Sequence, residues 1–571
     1  MPEQNKTETL EHAGDREPTL YGREFLAELL PLSGSEALNR ILDHRNPGQV
    51  IRKMTRVDFF WLIKKVGEND SLPLLSLASL EQWQYILDME LWRRDRIDLN
   101  EMFTWLDRLH KADSERFARW LLSEEGNLPA HFFLFNILQV AIKDSDDFIV
   151  PQDSFTFDNL YYIRILDKKH EEEIEQILRT ISREDYDCYQ ALLLGLAGMI
   201  PTEVEEEMYR FKSVRLAEDG YLPFEEAVSV YSYQKADLLK KDRSDYKLFV
   251  PDDEARALVP VTPINHVNND DFFTKTLSRI TENTVSDRLR IEFAGLCNQI
   301  FSADDVRFEG IDVLISISRK AAGYINIGIE RVSGGVVETA EQFIRNNPLI
   351  SLFRVGFGSA LELKWKAEKW IKHSWFQGLG LKSDFWGDAW GGVLKGILKN
   401  KPLYFSDLKE DNEYRDFENL SEIENCRSII NRLILLDELL EPISFLNPLD
   451  KNILKDPLLT FHPFLFNFWA RSHLKIEPGI SPLSIKQIKE LFRLLRIGEK
   501  RPPYRMADFK ESFIRDLMSY HTKAAPDDAP LLEDSLSILW HEFSEEYARV
   551  EVSDLDARFT KFFMIVPNPD T

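Results

Sequence analysis

Along most of the chain, apolar residues recur three and four positions apart, which is the spacing of an amphipathic helix with one buried face. The stretch LASLEQWQYILDMELW (77–92) is the clearest example. Ser79 followed by Gln82 fits a capping box, so we expect a helix to begin at about Leu80. The apolar residues that share one face of this predicted helix are Leu80, Trp83, Leu87 and Leu91.

Helix-start signals recur on both sides of this stretch and suggest a repeat. They stand at Asn46, Thr55, Asp98 and Asp113. Residues 46–69 align with residues 70–93 when moved by 24 positions, and the alignment pairs Asn46 with Asp70 as cap residues. In the same alignment, most large apolar residues of the first stretch fall on apolar residues of the second. Because a helical hairpin of this size cannot bury its apolar face alone, the repeat predicts hairpins that stack into a superhelix.

The helical pattern continues downstream with one interruption, so we expect an all-α protein in two parts. The predicted segments are a disordered tail (1–18), a helical superhelix (19–235), a linker (236–270), a second multi-helix domain (271–563) and a tail (564–571). The linker is predicted because this stretch has several prolines, dense charge and no apolar period. A β-branched run at 311–317 leaves a strand as the alternative, but we expect a helix there.

Composition and charge narrow the kind of protein further. With 44% hydrophobic and 29% charged residues, the chain has the balance of a folded globular protein. Its net charge of −25 opposes adhesion to phosphate backbones, so we expect no nucleic-acid binding. No apolar run is long enough for a membrane span, and residues 1–18 do not resemble a signal peptide. The three cysteines lie too far apart for a disulfide framework or a zinc site, which favours the reducing cytoplasm.

Residues 361–401, here called the Trp-rich segment, are the most unusual part of the sequence. They hold five of the twelve tryptophans and eight lysines against four acidic residues. Aromatic rings beside cations suit an interaction surface. Its candidate residues are Trp365, Lys366, Lys369, Trp370, His373, Trp375, Trp386 and Trp390. Core packing explains the same pattern, because Leu363, Ala367 and Trp370 share a helix face while the lysines share another.

Three stretches of the sequence resemble a bacterial family defined only as a domain of unknown function. They are SLPLLSLASLEQWQYILDMELWRRDRIDLNEMFTWLDRL, GMIPTEVEEEMYRFKSVRLAEDGYLPFEEAVSVYSY and NPLISLFRVGFGSALELKWKAEKW. The resemblance covers about residues 35–560 and implies no catalytic residues. Residues 46–87 are also similar in rhythm to the cytoplasmic helical superhelix of MgtE-type magnesium transporters. That similarity implies stacked helices.

No residue pattern in the sequence carries a catalytic, cofactor or metal signature. GFG at 356–358 and GLG at 378–380 do not extend to a phosphate-binding loop. We therefore expect a scaffold protein that binds an unidentified protein partner, with no catalytic residues, cofactor or metal, and the sequence predicts no oligomeric state. Two alternatives remain open. One is an enzyme with an unusual site around residues 354–404, and the other is a regulatory module that responds to divalent cations.

Overall fold

The computed structural model describes residues 25–566 except 145–146, 197–199, 243–259, 261, 266, 268–270, 407–412, 447–452, 457, 497–498, 500, 522–527 and 557–559. The predicted tail 1–18 lies outside the described residues, as do residues 567–571 of the predicted C-terminal tail. Within the described residues, no helix is both long enough and apolar enough to cross a membrane.

The all-α prediction is confirmed. Among the described residues from Gly34 to Asp304, the helices are α1 (Gly34–Leu42), α2 (Pro47–Lys53), α3 (Arg56–Val66), α4 (Leu72–Leu77), α5 (Leu80–Glu90), α6 (Leu99–Ala112), α7 (Ser114–Leu121), α8 (Glu124–Ile137), α9 (Glu171–Glu184), α10 (Tyr186–Gly195), α11 (Pro201–Ala217), α12 (Phe224–Ala227), α13 (Thr262–Asn265), α14 (Phe272–Leu277) and α15 (Asn283–Asp304). Those that follow are α16 (Ile311–Ser333), α17 (Val337–Asn346), α18 (Leu349–Ile371), α19 (Trp375–Gly378), α20 (Gly387–Leu398), α21 (Leu420–Phe445), α22 (Phe461–His473), α23 (Ile485–Leu495), α24 (Lys510–Met518) and α25 (Ala529–Tyr547). The helix expected at 311–317 is part of α16, so that prediction is also confirmed.

Small antiparallel sheets interrupt the helices, and the sequence did not predict them. The strands are β1 (Trp92–Arg93), β2 (Arg96–Ile97), β3 (Leu138–Ile142), β4 (Tyr161–Ile165), β5 (Tyr404–Phe405) and β6 (Tyr414–Arg415). They form three pairs, β1 with β2, β3 with β4 and β5 with β6. In the longest pair, Leu138 lies opposite Ile165.

Local capping explains where the first helices begin. The side chain of Ser79 accepts from the backbone N–H of Gln82, which completes the predicted capping box. The predicted caps at Asn46, Thr55, Asp98 and Asp113 also accept from the following backbone. Asp70 was predicted as a cap and is not one, because α4 begins at Leu72 after Ser71. Pro73, which lacks an N–H, fits the first turn of that helix.

Helix α5 is buried almost all round rather than along one face. Leu80 of the predicted apolar face is 43% exposed, whereas the polar Gln82 and Asp88 are buried. Gln82 donates from Nε2 to the carbonyl oxygens of Ile51 and Met54, which satisfies its buried amide. Helix α5 contacts both α3 and α6, which contributes to this burial.

The chain forms two compact units. The first contains the described residues up to Ile325 together with Val332–Arg354, and the second contains Asn326–Arg331 and Val355 onward. This division differs from the predicted one at 236–270, because the chain passes between the units inside the long helices α16 and α18. Most of 236–270 lies outside the described residues, but α13 belongs to it and is packed. Thr262 donates from Oγ1 to Oδ1 of Asp58, at 2.6 Å.

Candidate functional site

The Trp-rich segment turns most of its tryptophans toward the core of the second unit. Trp386 is 1% exposed, and its ring lies 5.4 Å from that of Phe376 between centroids. Trp390 stacks on Phe461 at 5.8 Å. The indole N–H of Trp375 donates to Oγ of Ser444 at 2.8 Å. Trp386 therefore belongs to the interior, whereas Trp375 and Trp390 are half-buried at its edge.

Asp437 of α21 binds the first residues of the Trp-rich segment that pack inward. Its buried carboxylate accepts from Nε1 of Trp370 at 3.2 Å and from the backbone N–H groups of Trp375 and Phe376, each at 3.0 Å. Burial raises the pKa of Asp437, and these three donors oppose the rise. The carboxylate therefore ties the end of α18 to the short helix α19.

The other predicted surface residues remain exposed. Trp365 is 46% exposed. Lys366, Lys369 and His373 are exposed as well, and Lys366 donates from Nζ to Oδ1 of Asn431. The prediction of an interaction surface therefore rests on these four residues, and it stays a prediction.

In residues 354–404, the region expected to hold an unusual enzyme site, two charged side chains already bind other groups of the chain. Arg354 donates from Nη2 to the carbonyl oxygen of Ser229, at 3.0 Å. Asp384 forms an ion pair with Lys395, which has the effect of raising the pKa of that lysine. Gly356 and Gly358 lie inside α18, and Gly380 has φ +78° directly after α19. The left-handed backbone of Gly380 is typical of a helix end.

A different part of the molecule, in the first unit, contains an open cleft with two lobes. One lobe has a volume of about 630 Å³ and the other about 520 Å³. Both are lined by Trp92, Arg94, Asp305 and Phe308, so the two cavities adjoin at these residues. We call the pair of lobes the hairpin cleft. Volumes of this order are typical of small-molecule sites.

The β1–β2 hairpin is fixed at its base. The register pairs Trp92 with Ile97 and leaves a two-residue turn of Arg94 and Asp95. Glu205 of α11 accepts from the backbone N–H of Ile97 at 2.9 Å and from Nη1 of Arg96 at 2.7 Å. Since Glu205 is itself buried, this anchor holds the ring of Trp92 against the cleft.

The tip of the hairpin is tied to the end of α15. Arg94 has φ +59° and Asp305 has φ +51°, a left-handed backbone that is uncommon outside glycine. The two side chains meet, with Nη2 of Arg94 donating to Oδ2 of Asp305 at 3.0 Å. The turn after β1 and the end of α15 are thereby joined over the boundary between the lobes.

Lys212 of α11 forms part of the larger lobe. Its ammonium lies 4.8 Å from the ring centroid of Trp92 and 5.6 Å from that of Tyr209. Burial lowers the pKa of Lys212 to about 8, and the charge of Asp88 works against that shift. Asp88 is already bound, because Arg215 donates to both of its oxygens at 2.7 Å.

A close backbone contact positions the loop that completes this lobe. A Cβ atom on Gly220, which has φ +86°, would lie 2.8 Å from the Cα of Gly295. The amide of Asn298 donates to the carbonyl oxygen of Asp219 at 2.6 Å. Glycine at position 220 thus lets the chain pass close to α15 and place Tyr221 in the wall of the cleft.

The smaller lobe has a buried ionic network. Lys64 lies with its ammonium 2.8 Å from Oε1 of Glu90, and it also binds Glu68. Arg108 donates to Glu68 at 2.8 Å. Burial raises the pKa of Glu90 to about 7, although the positive charge of Lys64 acts in the opposite direction. This wall of the cleft changes charge near neutral pH.

The cleft can hold a ligand through aromatic faces and fixed charges. The residues that the structure describes contain no group of three or more His, Cys, Asp or Glu side chains arranged for a metal ion. Residues 16–566 match a family of unknown function, DUF6178. The chain belongs to the DUF6178 family. No curated protein and no solved structure matches this DUF6178 chain.

The family match confirms the resemblance to a domain of unknown function, while bacterial origin and the similarity to MgtE-type transporters stay predictions. The hairpin cleft of this DUF6178 chain was missed by sequence reasoning. One signal was present, because Lys212 stands four residues after Met208 and four before Leu216. Both neighbours are buried, so the lysine occupies the middle of an apolar stripe.

Proposed function

We propose that this DUF6178 chain is a binding protein whose hairpin cleft receives a small organic ligand. The observation that carries the proposal is the cleft itself, whose larger lobe of about 630 Å³ has aromatic walls and a cation beside them. Sites of this size with a few polar groups are the usual form of small-molecule sites.

The walls of the cleft are held in place by contacts within the first unit. Glu205 fixes the base of the hairpin, and Arg215 holds Asp88, which lines the larger lobe. Gly220 sets the path of the loop that carries Tyr221. A preformed site loses less conformational freedom when its ligand binds, so less of the binding energy is spent on ordering.

A thermal-shift screen of small organic compounds on the full chain tests the proposal. A compound at 100 times its Kd adds about 2.7 kcal/mol to the stability of the folded state. We expect such compounds to stabilise the wild type and a Trp365→Ala control, but not Trp92→Ala, because only Trp92 lines the cleft. Equal stabilisation of Trp92→Ala would place the ligand elsewhere and contradict the proposal.

A protein partner, as expected from the sequence, is the second candidate. The observation that favours it is a pair of exposed apolar side chains three residues apart on α11. Phe211 is 40% exposed and Val214 is 63% exposed. Crosslinking in lysate with the wild type and with Val214→Asp tests it, and a partner recovered equally by both proteins would argue against this face. The divalent-cation module remains a further proposal, and its test is a melting temperature that rises with millimolar magnesium.

A further inference from the structure

We propose that Lys212 is the anion-binding group of the hairpin cleft, so that the ligand is a small organic anion with a flat apolar body. This inference rests on the proposed function, because it assigns a ligand class to the same cleft. The negative group would lie at the ammonium of Lys212, and the body would lie along the rings that flank it.

The first argument is the place of Lys212 on its helix. It lies between the buried residues Met208 and Leu216 on the face of α11 that turns inward. Removing an ammonium from water is unfavourable unless an opposite charge or a set of acceptors replaces the water. Trp92 and Tyr209 present ring faces to the ammonium, and these interactions offset only part of the lost hydration.

The second argument comes from two other lysines of the first unit. Lys64 and Lys320 are buried, and each has a carboxylate within 3 Å. Lys64 lies 2.8 Å from Glu90, and Lys320 lies 2.9 Å from Asp304. Lys212 has no such ion pair with any described residue. A carboxylate or phosphate supplied by a ligand would complete the same arrangement.

The third argument concerns the charges that surround Lys212. Asp88 of α5 is the acid that acts on it, and both oxygens of Asp88 are occupied by Arg215. Asp305, at the end of α15, is paired with Arg94 of the hairpin turn. The remaining acids in this lobe are Asp95 in the hairpin turn and Glu225 in α12. Both are exposed to solvent.

The aromatic content of the lobe argues for a flat body on the ligand. The rings of Trp92 and Tyr209 lie 5.6 Å apart at 60°. Phe224, which is 53% exposed, and Tyr221 also line this lobe. When an accessible aromatic side chain in a cleft contacts a ring of the ligand, the ring pair adds binding energy beyond that from the apolar area it buries.

Calorimetric titration of the full chain with three benzene derivatives tests the inference. Benzoate and phenyl phosphate carry an anion, and benzamide is a neutral control with the same ring. We expect both anions to bind at least about tenfold more tightly than benzamide, as a charge-assisted hydrogen bond implies. The tighter of the two anions identifies the group as carboxylate or phosphate.

Three variants separate charge from packing. Lys212→Met keeps the aliphatic stem over Trp92 and should lose about tenfold in affinity for the anions, with benzamide unchanged. Lys212→Arg retains a positive charge and should remain within about threefold of the wild type. Lys235→Met, which removes an exposed lysine, is the matched control and should bind like the wild type.

The pH dependence gives a second readout that needs no variant. Because the pKa of Lys212 is lowered to about 8, the ammonium loses its proton as the pH rises from 7 to 9, and anion affinity should fall over that range. Benzamide binding should not change. If anions and benzamide bind equally, or if Lys212→Met binds anions like the wild type, the inference is wrong while binding in the cleft still stands. If none of the three probes binds, the inference is overturned, and the thermal-shift screen with Trp92→Ala decides the proposed function separately.

Discussion

The Trp-rich segment of the second unit and the hairpin cleft of the first unit use the same two kinds of side chain in different ways. In the segment, Trp386 is buried among other rings, and the lysines lie outside the core. In the cleft, one tryptophan and one lysine face the same open space, with Lys212 4.8 Å from the ring of Trp92. The segment is conspicuous in the sequence, and the cleft is not.

The difference shows which signal points to a ligand. Many tryptophans in a short stretch are explained by the large apolar area that each ring can bury. A lysine on a buried face is harder to explain, because burial of an unpaired charge is unfavourable. Lys212 therefore says more about function than the dense aromatic pattern around Trp386.

The largest effect that would sharpen this comparison is expected from Trp386→Ala. The ring touches Phe385 and Phe461, at 5.1 and 5.5 Å between centroids, and its removal leaves a cavity. We expect a loss of about 3–5 kcal/mol in the free energy of unfolding, measured with urea. Trp365→Ala, the exposed control, should lose about 0.5 kcal/mol or less. Similar losses in both variants would break the comparison.

An intermediate effect, on the pH dependence of the free energy of unfolding, is expected from Glu90 in the smaller lobe of the hairpin cleft. Its pKa is raised to about 7 in the folded protein, so the folded state holds this proton to a higher pH than the unfolded chain. The stabilising contribution is complete below the ordinary glutamate pKa and is lost as the pH rises through 7. The total change is up to about 3 kcal/mol, because one pKa unit corresponds to about 1.4 kcal/mol.

Urea unfolding at pH 5, 6, 7 and 8 measures this contribution. Glu90→Gln cannot lose a proton and should show a flatter dependence on pH than the wild type. Glu172→Gln, at an exposed position in the first turn of α9, is the control and should follow the wild type. A wild-type slope unchanged by Glu90→Gln would mean that Lys64 neutralises the carboxylate fully.

The smallest effect on stability is expected on the exposed side of the Trp-rich segment. Lys369→Glu and Lys372→Glu reverse charges at exposed positions and should each change the free energy of unfolding by about 0.5 kcal/mol or less. The informative measurement is the set of crosslinked partners. Loss of a specific partner with stability unchanged would support the predicted interaction surface, and an unchanged set would remove it.

Local features of the fold could be predicted from the sequence. Thr55 and Ser79 are caps because a side-chain oxygen needs only the backbone of the next turn. The same pattern is not sufficient by itself, because Ser182 has an acid three residues on but lies inside α9, whereas Asp185 caps the next helix. Both residues fit the same rule, so the sequence alone did not separate them.

The cleft depends on residues that are far apart in the chain. Trp92 contacts Tyr209 where Glu205 anchors the hairpin to α11, a contact across more than a hundred residues. The strand pair β3 and β4 was missed for a related reason, since Leu138 finds its partner Ile165 across a long connection. Periodicity describes one element at a time and does not predict such pairings.

The bond between Arg94 and Asp305 has a consequence for how the cleft responds to salt. Both residues hold a left-handed backbone that costs about 1 kcal/mol or more each, and the ion pair that joins them is exposed and stabilises by less. Dissolved ions weaken such a pair further, whereas the buried carboxylate of Glu205 is shielded from them. Rising ionic strength should therefore weaken the contact between Arg94 and Asp305 first, while the anchor of the hairpin at Glu205 stays in place.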